Sequence, residues 1–375
     1  MAGWQLHNVK LLVVLSLFVF QVYCDCHISH NQFNECKGVI TIDGTYLRTS
    51  HIKNGQTLNI YPNENGPAQN FQCLSDKFSP PFPTFDKKVS SKAECPPSDR
   101  VIVEPLRTTT GCQGTIYQAG YKISGKVVEL YRSCYDKENY ISRYSETYLY
   151  PSTGVDADRP QCSFTKDSVM SGAVERSIDQ RRVRDTFSEL YNKKYDDAMK
   201  KERFENQMDR GHLVAADDFL TYDQKAATFK MINVIPQFHG IQGSGGNWYK
   251  IEQFVRKLAS KNPPTIHVRT GSFGVLELPD SSGVQVKAFL YNRSKFPVPA
   301  WMYKLVKNSL NTPIFAVVTS NNPFATDKPL HPHFCTPIHC PSDLKLNDNA
   351  SKGYTYCCNP SLFNPGPSRK RPHED

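Results

Sequence analysis

Twelve cysteines constrain this chain of 375 residues more than any other feature. They follow an apolar run, Leu11 to Val22, that is short for a membrane span and stands behind a polar start containing Lys10. Residues 1–24 therefore read as a signal peptide, the mature chain is expected to start near Asp25, and the protein is expected to be secreted. No later segment has the length to span a membrane, so no membrane partner is expected. Disulfides persist outside the cytosol and would staple the loop-rich parts of the fold. Spacing argues against zinc, because Cys335 and Cys340 are followed by the adjacent pair Cys357 and Cys358 rather than by a second short-spaced pair. If Cys24 leaves with the signal, the count becomes odd: one thiol is free or pairs between chains, and the connectivity stays open. The sequons Asn292-Arg-Ser and Asn349-Ala-Ser agree with secretion and make a glycoprotein.

An apolar content of 39% is enough for a large core and excludes a disordered chain. The net charge of +9 is unevenly placed: from Lys225 to Leu310 twelve Lys/Arg face three Asp/Glu, which equals the excess of the whole chain. Such a sector attracts polyanions in a salt-dependent way, although the count alone fits a solvated surface equally well.

Residues 25–110 are rich in Pro, Asn, Gly and Ser, with short β-prone pieces such as "GVITIDGTYL" and "GQTLNIYP". They predict a small disulfide-stapled, β-rich N-terminal module. Residues 111–362 alternate strand-like runs ("GTIYQAGYKISGKVVELYRSC", "TIHVRTGSFG", "AWMYKLVK", "PIFAVVTS") with two helical patterns, over Arg182–Phe204 and Asn247–Ser260. The expected class is α+β, with a mixed sheet in the core. Residues 363–375 lack periodicity and are expected to be a disordered tail.

The stretch "NQMDRGHLVAADDF" sets Asp209, Arg210, Gly211 and His212 side by side. It is followed by "INVIPQ" and then "NWYKIE", and this ordered series resembles the DNA/RNA non-specific endonucleases. Upstream "ADRPQCSFTKDSV" and downstream "VRTGSF" and "VPAWMYKLV" extend the resemblance over roughly residues 110 to 320. Within the family the chain looks most like secreted arthropod enzymes with a cysteine-rich N-terminal module, the tsetse salivary nuclease-related proteins among them, which suggests saliva as the source.

The resemblance implies a ββα-metal (His-Me finger) core acting on DNA and RNA, double- and single-stranded and without sequence preference. Phosphodiester hydrolysis needs an activated water and a stabilised anionic transition state. In that chemistry His212 would be the general base, Asp209 would orient the loop or imidazole, and Arg210 would meet a phosphate oxygen. Asn233 and Gln237 would support the site, and Glu252 would hold a metal-bound water, the plainer reading being an exposed helix glutamate. Arg210, Lys250, Arg256 and Lys257 are the expected nucleic-acid contacts. One Mg2+ ion is implied, with Mn2+ as a substitute.

Two departures from the family pattern bear on rate. Counting forward from "P-Q" puts Gln242 where the metal-binding Asn belongs, whereas counting back from Trp248 puts Ser244 there, so the segment has gained two residues. The ligand is then Gln242 or Asn247, the latter being also an ordinary helix cap. At the end of "SETYLY", Tyr150 stands where many relatives carry a basic residue. These changes raise a second reading, a salivary nucleic-acid-binding protein with weak or lost nuclease activity. Oligomeric state is not legible.

Overall fold

The computed structural model describes residues 25–33, 39–62, 66–82, 101–107, 111–151, 157–160 and 162–366. The expected signal peptide and residues 367–375 of the expected tail lie outside them.

The class is α+β. A nine-stranded sheet runs in the order 337–338, 355–358, 313–320, 301–308, 266–273, 141–149, 126–136, 115–123, 101–105, and its ladders are antiparallel. The strands are rich in β-branched and aromatic residues that alternate between the two faces, as in Trp301–Asn308, where Met302 and Val306 enter the main core and Tyr303 and Leu305 a second one behind. Val101–Pro105 pairs with Thr115–Ile123, so the main sheet begins before the boundary expected at residue 110. Phe363 is buried against Phe334 and Tyr303, which carries the packed chain past the start of the expected tail.

The main core is closed by the helix Asn247–Lys261, whose Trp248, Ile251, Phe254, Val255 and Ala259 are buried. Each large apolar side chain there contributes about 1.5–3 kcal/mol. The other helical pattern forms a helix only over Gln180–Leu190. It stops because Asn192 and Lys193 adopt positive φ, 49° and 64°, and the chain beyond turns on itself, so Tyr195 packs from a turn and not from a helix.

The N-terminal module is a five-stranded sheet, ordered 45–46, 39–42, 57–61, 69–74, 77–79, with a two-stranded ladder tied to it by Cys26–Cys73. It docks directly on the core: Gln224 Nε2 donates to the Leu47 carbonyl at 2.9 Å, and Tyr46 meets Phe219 edge-on. Cys112–Cys134, Cys335–Cys358 and Cys340–Cys357 staple the large sheet and its C-terminal cover, and Cys162 carries a free thiol. Among the described residues no helix is long and apolar enough to cross a membrane.

Candidate active site

The strand Met208–His212 pairs antiparallel with Val234–Phe238, setting His212 opposite Val234 and Asp209 opposite Gln237. Strand alternation turns Arg210 and His212 to one face and Asp209 and Gly211 to the other. Glycine is required before the histidine, because a Cβ at Gly211 would lie 2.2 Å from Gln237 Cδ. The second strand runs into a short helix, His239–Gln242, and then into the long helix, which completes a ββα unit.

His212 is buried between Phe164 and Phe229, with ring centroids 5.1 and 4.8 Å away. Phe164 is brought there by a clamp: the Thr165 amide donates to the Phe229 carbonyl at 3.0 Å, and the Met231 amide to the Thr165 carbonyl at 2.8 Å. Below that clamp, Lys230 Nζ meets Asp167 Oδ1 at 2.8 Å. Burial, and then the positive charge of Arg159, push the His212 pKa down to about 3. The ring is therefore neutral across the physiological range, and its Nε2 is buried without a protein partner. Arg159 is exposed, with its guanidinium carbon 5.7 Å from the Phe229 ring centre.

Asn233 holds the chain just after the histidine, its Oδ1 accepting from the Val214 amide and its Nδ2 donating to the Val214 and Thr228 carbonyls. Both ends of its amide are therefore spent on backbone groups. Gln237, fully buried, leaves both ends of its amide without a partner.

Glu252 belongs to a partly buried ionic group on the sheet side of the long helix, with Asp217, Asp218, Arg256 and Lys304. Burial lifts the Glu252 carboxyl to about 7 against the attraction of Lys304. Lys304 Nζ is itself buried, 2.8 Å from Thr270 Oγ1 and 5.0 Å from the Trp248 ring centre. Glu252 is thus not the helix-surface glutamate of the plainer reading.

Several expected roles do not match the geometry. Arg210 is held through Nη2 alone, by Asp179 at 2.7 Å and Glu175 at 3.3 Å, which ties it to two carboxylates of the preceding helices. Asp209 does not orient His212: its Oδ2 meets His239 Nδ1 and Gln242 Nε2, each at 2.6 Å, on the opposite face of the strand. That contact also takes Gln242 away from the histidine. Asn247 is spent at both ends of its amide, accepting from the Asn347 amide and donating to the Asn347 and Gly353 carbonyls. It is a buried tie to the C-terminal segment, and the helix N-cap is Gly246. Tyr150 is stacked under Arg48 of the N-terminal module at 4.3 Å, with the two side chains hydrogen-bonded.

The basic sector is also less free than its count suggests. Lys225, Lys230 and Lys304 are buried, Arg256 is paired with Asp218, and Arg269 with Glu146. Of the expected nucleic-acid contacts, Lys257 is exposed and Lys250 half-buried on the long helix.

A histidine at the end of a β-hairpin that runs into a helix packed on a sheet is the ββα arrangement of a nuclease core. Residues 112–363 match the DNA/RNA non-specific endonuclease family, and the chain belongs to it. A salivary endonuclease of Lutzomyia longipalpis is 27% identical over 314 residues, covering 82% of this chain and 72% of that one. A salivary endonuclease of Culex quinquefasciatus is 26% identical over 364 residues, covering 92% and 91%. The salivary protein Tsal2A of Glossina morsitans morsitans is 25% identical over 289 residues, covering 74% and 70%. The chain is accordingly a nuclease of the arthropod salivary type, in a family that generally depends on a divalent metal.

Arg159 and Phe164 lie in the segment "ADRPQCSFTKDSV", where residue type and spacing alone mark neither for a role. Lys304, a lone cation inside the apolar strand "WMYKLV", was a usable signal for a buried charge partner.

Proposed function

We propose that this chain is a secreted salivary endonuclease that hydrolyses DNA and RNA phosphodiesters without sequence preference, with His212 as general base. The observation that carries the reading is the buried, neutral His212 with an unpartnered Nε2, set beside the exposed guanidinium of Arg159. In this reading Nε2 takes a proton from the attacking water as its oxygen bonds to phosphorus. The bond to the leaving 3′ oxygen breaks, and that oxygen is protonated from solvent. Arg159 faces the negative charge that builds on the phosphoryl oxygens.

The expected Mg2+ ligands fit this scheme poorly. Asn247 has no free amide atom, Gln242 is tied to Asp209 on the face away from His212, and among the described residues no three His, Cys, Asp or Glu side chains converge as a metal site. No step is assigned to a bound ion. The second reading, nucleic-acid binding with low turnover, remains the alternative that the experiment separates from the enzyme.

Supercoiled plasmid incubated with the mature protein, with Mg2+ or with chelator, separates the two. Nicking that His212→Ala abolishes while gel retardation persists supports the enzyme with that base. Equal nicking by the variant removes His212 from the role, and retardation without nicking by either protein supports the binder.

A further inference from the structure

We propose that a second ligand site, built for a planar base carrying a phosphate, lies on the face of the main sheet turned away from the long helix. On the strands Ile266–Phe273 and Trp301–Asn308, Thr270 and Lys304 face that helix. Alternation turns their neighbours Arg269 and Tyr303 to the other side. There the sheet opens into a cavity of about 860 Å3, whose wall includes Arg143, Tyr144, Arg269, Phe273, Tyr303 and His333. Ligand pockets for small molecules commonly have this size.

The wall is one-sided in charge: it holds two guanidinium groups and, among the described residues, no carboxylate. Each guanidinium is anchored by an acid outside the wall. Arg143 Nη2 meets Asp136 Oδ2 at 2.8 Å and leaves its buried Nε without a partner. Arg269 grips Glu146 Oε2 through Nε at 3.0 Å and Nη2 at 2.8 Å, with its carbon 4.2 Å over the Tyr144 ring. Anchored forks with donors to spare are suited to a phosphate, and the aromatic side chains between them to the face of a base. An apolar neutral ligand would leave the spare guanidinium donors unused, and a bare anion would leave the aromatic wall unused. The fitting ligand is a nucleoside monophosphate, either free or as the terminal residue of a cut strand. Binding there involves no reaction; the cavity wall reaches Val234, Ile235 and Pro236 of the strand paired with Met208–His212, but not His212, Phe164, Phe229 or Arg159.

Isothermal titration of the full mature chain carrying His212→Ala, with adenosine 5′-monophosphate, adenosine and inorganic phosphate as separate probes, tests this. The monophosphate should bind saturably, with the other two at least about tenfold weaker. Arg143→Gln and Phe273→Ala should each weaken it by about tenfold or more while plasmid retardation stays unchanged. Phe273 also packs on Phe334, so thermal midpoints of both variants are measured, and Arg143→Gln alone decides if Phe273→Ala fails to fold. A 5′-phosphorylated dinucleotide that binds as tightly as the monophosphate identifies strand ends as the source, and weaker binding identifies the free nucleotide. Absence of saturable monophosphate binding, or binding indifferent to Arg143→Gln, overturns the site.

Discussion

Asn233 brackets Val214 with both ends of its amide, accepting from the Val214 N–H and donating to the Val214 carbonyl, each at 2.9 Å. The backbone two residues beyond His212 is thereby tied down, and Asn233 acts on the ring through the chain. Asn233→Ala orphans buried backbone groups at about 1–3 kcal/mol each. Urea denaturation should show a loss of that size, and single-turnover cleavage should fall with little change in plasmid affinity. Full stability and full cleavage in the variant would remove Asn233 from the support of the site.

The buried His212 and the partly buried Glu252 should pull the pH dependence of stability in opposite directions. His212 has a folded pKa of about 3, so between pH 6.5 and 3 the unfolded chain takes up a proton that the folded chain refuses. Its contribution is complete above 6.5 and is lost as pH falls toward 3. Glu252 is raised from 4.5 to about 7, so through that window the folded chain keeps a proton that the unfolded chain releases, and stability declines as pH rises. Each effect can reach about 1.4 kcal/mol per pH unit. In thermal melts, Glu252→Gln should remove the decline between pH 4.5 and 7, leaving a curve that rises through that window. Parallel curves for the two proteins would mean that Glu252 does not titrate there. The cleavage rate of the unmodified chain should likewise show no acid limb near the free-imidazole value.

The strands and the long helix were legible because their apolar periods are regular: Trp248, Ile251 and Val255 mark a helix face with no help from tertiary contacts. The ordered Asp-Arg-Gly-His series made the hairpin legible too. What the side chains touch was not legible, because it depends on segments far apart in the chain. Arg210 finds its acids in residues 175 and 179, and Asn247 finds its partners a hundred positions away at Asn347. The helix expected over Arg182–Phe204 ended early for a local reason, the positive φ at Asn192 and Lys193, which an apolar period does not report.

Salt should expose which cations meet nucleic acid. Lys250 and Lys257 stand about two turns apart on the long helix and so share a face, and no ion pair engages either among the described residues. Each phosphate contact adds about 0.9 to the slope of log affinity against log salt. The double variant Lys250→Glu, Lys257→Glu should therefore flatten that slope by about 2, measured by fluorescence anisotropy on a duplex. Arg256→Gln, which loses the Asp218 pair instead, should reduce stability and leave the slope nearly unchanged. A slope insensitive to the lysine pair would move the nucleic-acid surface off this helix.

The amides decide the metal question, because each of them has a structural duty that competes with ligation. Gln242 Nε2 donates to Asp209 Oδ2, which also meets His239, and the three side chains close the start of the hairpin onto the short helix. If that is its whole duty, Gln242→Ala should lower thermal stability modestly, and the Mg2+ affinity measured by calorimetry should stay within about threefold of the parent. Asn247→Ala should cost more, since it leaves the half-buried Asn347 amide and the buried Gly353 carbonyl unpaired, up to about 1–3 kcal/mol for the buried group, again with Mg2+ affinity unmoved. A large loss of Mg2+ binding in Gln242→Ala, with the fold intact by near-ultraviolet circular dichroism, would instead make its side-chain oxygen a ligand. The Asp209 contact would then have to open when the ion binds, and the hairpin, rather than His212 alone, would be the part of the site that moves.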